Sequence, residues 1–134
     1  KNTKITEKIL KRRDYKKARE FVRKTYSGNT QLKVASLSRV VDEVARVTGD
    51  KIARSILEEA AKKLAIATEF AAKETGFRKD EHFPVVLAGS VFCSNVVSKT
   101  FKKYIKSCFP RSELIFSKKE PVEGSIKIAQ EFIN

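Results

Sequence analysis

Small polar residues follow a short apolar run in the second half of this sequence. The run at 85–88 stops at Gly89-Ser90, and a helix is predicted to begin at about Asn95. Because glycine has no Cβ, a ligand can approach the backbone closely at Gly89. The helix start adds unpaired N–H groups and small hydroxyls, which suit anions. These parts are common in nucleotide sites, and they are equally common as plain connections in α/β proteins.

Helical periodicity dominates the first 83 residues. Apolar spacing predicts a first helix over residues 3–13 and a second helix that Asp14 caps and that ends near Gly28. Residues 27–31 have the composition of a loop. A third helix is predicted to start after Ala35-Ser36 or Ser38.

Glycine and aspartate residues mark the predicted helix boundaries in the middle of the chain. The third helix is predicted to stop at Gly49, and Asp50 then caps a long helix that ends at Gly76. Its apolar stripe is rich in alanine, which permits close packing against a helix or a sheet. The predicted stripe consists of Ile52, Ala53, Ile56, Leu57, Ala60, Leu64, Ala67, Phe70 and Ala71.

The predicted secondary structure changes at Pro84, from helices alone to alternating strands and helices. Residues 84–134 predict a strand at 85–88, a helix at 95–108, a strand at 114–116 and a closing helix at 122–132. Two strands do not make a stable sheet by themselves. We therefore expect the chain, which does not begin with Met, to be the C-terminal part of a larger α/β domain whose other strands precede Lys1.

The basic charge is concentrated at one end. Residues 1–34 hold 12 Lys/Arg and 3 Asp/Glu, a net charge of +9, out of +13 for the chain. Such a region can bind a phosphate backbone, or it can be a solvated helix surface whose acidic counterpart lies elsewhere. The spacing of Tyr15, Phe21 and Tyr26 favours a core or an interface over base stacking.

Several classes of protein are disfavoured by the composition. The sequence has no apolar run long enough to span a membrane. Cys93, Cys108 and the single His82 do not match the spacing of a zinc site, so no metal ligands are predicted. The two cysteines are expected to be ordinary buried thiols in a reducing, cytoplasmic compartment.

Three stretches of the chain resemble one known family. The first runs from Ala35 to Gly49-Asp50 and into the long helix. The second is Leu-Ala-Gly-Ser-Val-Phe-Cys-Ser at 87–94, and the third is Glu-Pro-Val-Glu-Gly-Ser-Ile-Lys-Ile-Ala at 120–129. Their order and spacing are similar to the C-terminal half of N-acetylglucosamine kinases of the BadF/BadG/BcrA/BcrD ATPase group. That group lies within the superfamily of sugar kinases, actin and a class of heat-shock chaperones, and the likeness covers residues 30–134.

The resemblance implies a ribonuclease H-like (actin-like ATPase) α/β lobe that binds the adenosine side of ATP. In the family, the glycine at the strand end and the serine after it lie against the nucleotide. These two positions correspond to Gly89 and Ser90. A second serine near the helix start carries to Ser94. A small residue that lines the adenine pocket carries to Ala35, or to Ser36 if the spacing differs by one.

Each of these assignments has a structural alternative. Gly89 can serve only an unusual turn, and Ala35 can serve only packing. Ser94 or Asn95 can be a helix N-cap, which stabilises by about 1 kcal/mol. Gly124 is expected to let the last helix approach the sheet.

The resemblance also indicates what this chain lacks. Neither phosphate-binding loop of the family, nor the catalytic Asp of its first domain, occurs in the sequence. We therefore predict no catalytic residue here, and Asp42, Asp50 and Asp80 are not assigned to catalysis. ATP and Mg²⁺ are the implied cofactors, with the metal held mainly by the missing N-terminal half, and residues 1–134 alone are expected to be inactive.

For the full-length protein, the resemblance implies a cytoplasmic ATP-dependent sugar kinase. Its implied partners are ATP or ADP, a sugar, the N-terminal half of the same protein, and a second copy that residues 1–75 help to bind. Membranes and nucleic acid are not expected partners. Two alternatives stay open: a basic nucleic-acid-binding module, and an ATPase activator of the kind that holds an iron–sulfur cluster through cysteines, whose pattern Cys93 and Cys108 do not obviously match.

Overall fold

The computed structural model describes residues 3–12, 16–27, 30–117 and 121–132. A 3₁₀ turn, Ser90–Cys93, lies between the first strand and the helix after it. Among the described residues, no helix is both long enough and apolar enough to cross a membrane. In chain order the helices and strands are α1 (Lys4–Arg12), α2 (Ala18–Tyr26), α3 (Thr30–Ala35), α4 (Leu37–Thr48), α5 (Lys51–Glu74), β1 (Pro84–Leu87), α6 (Asn95–Cys108), β2 (Glu113–Phe116) and α7 (Pro121–Glu131).

The chain forms two compact units, residues 1–63 and residues 64–134, and the division falls inside α5. The first unit packs around buried Val40 and Val44 of α4 and Ala53 of α5. Ile5 and Ile9, one helical turn apart on α1, pack against this cluster. The hydrophobic face of α1 therefore fixes that helix against α4.

Asp50 stabilises the starts of two helices in the first unit. Its Oδ1 accepts the backbone N–H groups of Ile52 and Ala53, each at 2.9 Å, which caps α5 as the sequence predicted. Its Oδ2 accepts the N–H of Lys4 at 2.8 Å and the hydroxyl of Thr3 at 3.0 Å. One carboxylate thus also caps α1, because both helix starts present N–H groups that have no partner within their own helix.

The second unit contains a two-stranded parallel sheet. Val86 pairs with Ile115 in the register, and the carbonyl of Phe83 accepts the N–H of Glu113 at 2.9 Å just before the strands pair. Helix α6 is the crossover between the strands, as predicted from the order of the elements. The ring of Phe83 packs edge-on against Phe109, with centroids 5.2 Å apart, and both rings are buried.

A polar contact joins the end of α5 to α6 within the second unit. The hydroxyl of Tyr104 donates to Glu69 Oε2 at 2.9 Å, and Lys73 pairs with Glu69 Oε1 at 2.6 Å. Hydrogen bonds from Lys73 and then from Tyr104 lower the pKa of Glu69 below its ordinary value. The bond to Glu69, which favours the neutral phenol, raises the pKa of Tyr104.

The predicted helix and strand boundaries agree with the structure to within a few residues, with exceptions near residues 14–35. Asp14 lies outside the described residues, and Lys17 occupies the N-cap position of α2 without a side-chain cap bond. The prediction of a loop over 27–31 is wrong in part, since α3 already begins at Thr30. Ser36 precedes α4, and Gly49 ends it with a left-handed φ of 65°.

Three predictions about burial are wrong in whole or in part. On α5 the buried residues include Ala61 and Ala65, whereas Phe70, assigned to the buried stripe, is 66% exposed. Tyr26 is 74% exposed, so it does not belong to the core of the first unit. Cys93 is exposed rather than buried, and Cys108 is half-buried; both thiols are free.

Candidate functional site

The strand-to-helix connection at residues 88–94, here called the glycine turn, follows the carboxyl end of β1. The carbonyl of Leu87, the last residue of β1, accepts the N–H of Ser117 at 3.0 Å, so the strands stay paired up to the turn. The N–H of Phe92 then donates to the carbonyl of Gly89, and that of Ser94 donates to Val91, both at 3.3 Å. These bonds give the backbone one defined path from β1 into α6.

Gly89 has a conformation that favours glycine alone. Its φ of 95° and ψ of 157° lie in a region that L side chains rarely adopt. A Cβ added at Gly89 would meet no atom within 4 Å. The structural alternative for Gly89, an unusual turn, is therefore observed, and the open space beside it leaves the backbone accessible to a ligand.

Ser94 is the N-cap of α6. Its buried hydroxyl accepts the N–H of Val97 at 3.5 Å, and its carbonyl accepts the N–H of Ser98 at 2.9 Å. The N-cap alternative for Ser94 is thus confirmed. Since a hydroxyl oxygen has two lone pairs and a proton, this bond leaves Ser94 further hydrogen-bonding capacity.

Ser98, which the sequence did not single out, and Phe101, predicted to face inward from this helix, hold the glycine turn on α6. The hydroxyl of Ser98 donates to the carbonyl of Phe92. The ring of Phe92 packs edge-on against Phe101, with centroids 5.2 Å apart. The signal in the sequence was an aromatic residue at 92 inside a turn that is otherwise small and polar, because such a side chain needs an apolar partner.

The remaining predicted site residues differ in their surroundings. Ser90 is exposed and begins the 3₁₀ turn directly after Gly89, so the structure brings Gly89, Ser90 and Ser94 together in one turn. Ala35 is exposed, belongs to the first unit and is the last residue of α3. The helix before Gly49 begins at Leu37, after Ala35-Ser36 as predicted, and Ser36 holds its N-cap position.

The electrostatics of the glycine turn come from the backbone. Residues 84–98 contain no ionisable side chain except the thiol of Cys93, and the first turn of α6 has no acidic residue. The start of this 14-residue helix carries the positive end of its dipole and unpaired N–H groups. The arrangement can bind an anionic or polar ligand, but it supplies no carboxylate or imidazole for acid–base chemistry.

Metal binding has no evident site in the described part of the chain. There, no three His, Cys, Asp or Glu side chains lie close enough together to hold a metal ion. His82 lies 3.7 Å from Glu113 Oε2, and both side chains are exposed.

Comparison with known proteins identifies relatives of this chain. It is 28% identical over 130 residues to the N-acetyl-D-glucosamine kinase of Dictyostelium discoideum. The aligned region covers 95% of this chain and 40% of that protein. It is 27% identical over 104 residues to the N-acetylmuramic acid/N-acetylglucosamine kinase of Clostridium acetobutylicum. That aligned region covers 78% of this chain and 34% of the relative. The chain thus spans between a third and two fifths of the length of these relatives. No solved structure gave a significant match.

A family model supplies the broader assignment. The model described as the BadF/BadG/BcrA/BcrD ATPase family matches residues 13–129, which is most of the chain and includes the whole glycine turn. The match confirms the resemblance drawn from the three sequence stretches. The chain therefore belongs to the BadF/BadG/BcrA/BcrD ATPase family.

Proposed function

We propose that this chain is the ATP-binding C-terminal lobe of a cytoplasmic, ATP-dependent sugar kinase of the N-acetylglucosamine or hexose kinase kind. The observation that carries the proposal is the glycine turn, where Gly89 has a φ of 95° and open space beside it. This turn lies inside the region that matches the ATPase family, and two relatives are named as amino-sugar kinases.

In this proposal the residues of the chain bind and orient ATP without reacting with it. The backbone at Gly89 approaches the nucleotide closely, and the exposed hydroxyl of Ser90 offers it a hydrogen bond. Ser94 fixes the start of α6, whose N–H groups face the anionic side of the ligand. Ala35 or Ser36 contributes to the adenine pocket. Bound ATP supplies the γ-phosphoryl group that is transferred to a sugar hydroxyl.

The proposal assigns the chemical step to the rest of the polypeptide. The general base and the main Mg²⁺ contacts would come from the N-terminal half, and closure of the two lobes would exclude water. Exposed apolar residues support the presence of further strands. Val86 and Ile115 pair across the sheet, yet both are exposed, and two strands alone are marginally stable. We infer a ribonuclease H-like sheet in the whole protein, and a homodimer to which residues 1–75 contribute.

An ADP-release assay tests this function. The full-length protein is supplied with ATP and Mg²⁺ and with N-acetylglucosamine, glucosamine, glucose or no sugar. We expect sugar-dependent ADP release that Ser90→Trp abolishes, because an indole at this turn would occupy the nucleotide position. Ser55→Trp is the matched control, since Ser55 is also exposed but lies on α5. A folded protein that releases no ADP with any sugar would remove the kinase proposal.

An ATPase activator is the second candidate, because the matching family is described by BadF and its relatives. This function predicts ADP release that does not depend on sugar. The same assay separates the two functions, since the Ser90→Trp variant should lose nucleotide turnover in both and only the kinase should respond to sugar.

A further inference from the structure

Helix α2 presents a face that the proposed nucleotide site does not use. Val22 and Arg23 lie three and four residues after Arg19, and Tyr26 lies four and three residues after them, which places all four on one side of the helix. All four side chains are exposed, with Val22 at 50% and Tyr26 at 74%. We call these four residues the basic tyrosine face.

This face lies in the most basic part of the chain. Residues 1–34 have a net charge of +9, and Lys16 and Lys17, both exposed, directly precede α2. The ion pairs observed on α1 and α2, among the described residues, join Lys8 to Glu43 at 2.8 Å and Lys24 to Glu20 at 3.1 Å. Both acidic partners are thus engaged by lysines outside the face, and Glu20 also interacts electrostatically with Arg23.

The exposure of Tyr26 excludes one of the two roles predicted from its helical spacing, the place in a core. Helical spacing suggested that Tyr26 belongs to a core or an interface, which would disfavour base stacking. In the structure the ring stands largely in solvent within one turn of Arg23, so its π-face is available to a ligand. A tyrosine beside arginines is the combination with which proteins bind single strands, because the ring stacks on a base while the guanidinium groups contact phosphates.

We propose that the basic tyrosine face is a binding surface for single-stranded nucleic acid. Arg19 and Arg23 stand about 6 Å apart along the helix axis, so they can contact neighbouring phosphates. Tyr26 stacks on one base. The chemistry favours a nucleic acid over an anionic membrane, because Val22 is the single aliphatic side chain of the face and offers little apolar area to insert. This surface is independent of the glycine turn.

Fluorescence anisotropy with labelled oligonucleotides tests the proposal on the full-length protein. The probes are oligouridylate and oligothymidylate of about 12 nucleotides, which matches a small single-strand site. We expect the Kd to rise steeply as salt increases from about 50 to 200 mM. Tyr26→Ala should weaken binding about tenfold through lost stacking. Tyr26→Phe, which keeps the ring, should bind like the unchanged protein.

A charge-matched control distinguishes binding at this surface from non-specific electrostatic attraction between the oligonucleotide and a basic protein. Arg19→Ala/Arg23→Ala should weaken binding far more than Lys99→Ala/Lys102→Ala, which removes the same charge from exposed positions on α6. Equal losses in the two double variants, or no loss in a folded Tyr26→Ala protein, would overturn the proposal. So would binding to phosphatidylserine vesicles with no binding to either oligonucleotide. None of these results depends on sugar-dependent ADP release.

Discussion

Thr3 donates its hydroxyl to the carboxylate of Asp50 at 3.0 Å, although 47 positions separate them in the chain. The same carboxylate oxygen accepts the N–H of Lys4, and the other oxygen accepts the first N–H groups of α5. The bond from the N–H of Ala53, followed by that from Lys4, holds the pKa of Asp50 below its ordinary value. One residue therefore couples the first helix of the chain to the start of α5.

Removing the Asp50 carboxylate should destabilise the first unit. In Asp50→Ala the N–H groups at two helix starts lose their acceptor, so we expect a clearly lower urea midpoint, measured by circular dichroism. Asp50→Asn keeps one acceptor oxygen, so its urea midpoint should lie between those of the unchanged protein and of Asp50→Ala. Asp42→Ala is the control, because Asp42 is an acidic residue inside α4 rather than at a helix start. Equal midpoints for the two alanine variants would contradict the double cap.

The contribution of Asp50 should depend on pH in a defined direction. Its pKa is lower in the folded protein than in the unfolded chain, where an aspartate has a pKa of about 3.9. The stabilisation is therefore fully present above that unfolded pKa and is lost as the pH falls through the folded pKa. Urea midpoints of the unchanged protein and of Asp50→Ala should differ at pH 7 and converge in acid. A difference that grows in acid would be inconsistent with this bond.

The contact between Tyr104 and Glu69 should be visible in a tyrosine titration. The pKa of Tyr104 is raised, chiefly by the bond to Glu69, so its phenol should ionise at higher pH than an ordinary tyrosine. Absorbance titration of Tyr104→Phe should show the loss of a phenol that titrates above the ordinary range. In Glu69→Gln the charge is absent, and the titration of Tyr104 should move down towards its ordinary range. No change in either variant would show that the bond does not form in solution.

Two glycine-to-alanine substitutions should have opposite effects on stability. Gly89→Ala forces a side chain into a φ of 95°, which should cost about 1–3 kcal/mol of unfolding free energy. Gly124 lies in α7 without a positive φ, and an added Cβ there meets no atom within 4 Å, so the expected close approach at Gly124 is not observed. Gly124→Ala should therefore stabilise by up to about 1 kcal/mol, because alanine is the better helix former. Urea denaturation of both variants measures the difference, and a neutral Gly89→Ala would show that the turn relaxes.

The cap at Ser94 should be separable from nucleotide contact. Ser94→Ala removes the acceptor for Val97 N–H and should cost about 1 kcal/mol. Ser94→Asp retains a capping oxygen and should recover the stability. If Ser94 also contacts ATP, the aspartate variant should still bind nucleotide weakly, because a carboxylate repels phosphates. Ser107→Ala, an exposed serine near the other end of α6, is the control for the loss of a hydroxyl.

Much of the local structure was predictable because its causes lie within a few residues. Gly49 and Asp50 specify the end of one helix and the start of the next, since a left-handed residue and a capping carboxylate act over a single turn. The bounds of α6 were predicted correctly, from Asn95 to Cys108 before Pro110. At the candidate site, the same local logic identified the strand, the glycine turn and the N-cap at Ser94.

The faces of the helices were harder to predict, because burial depends on residues far away in the chain. On α5 alanine and larger apolar side chains occur almost all round the helix, so periodicity did not show that Ala61 would be buried and Phe70 exposed. The exposure of Tyr26 likewise depends on what packs against the other side of α2. A pattern of three and four residues shows which side chains share a face, but not which face meets a partner.

The sequence by itself determined the order of the elements, their ends, the basic first segment and the family resemblance, because each is set by residue type and short spacing. Only the tertiary structure decided that Asp50 caps α1 as well as α5, that Ser98 and Phe101 hold the glycine turn, and that Tyr26 stands in solvent. Each of these depends on groups brought together or kept apart by folding, and hydrogen bonds and ring contacts form only within a few ångströms.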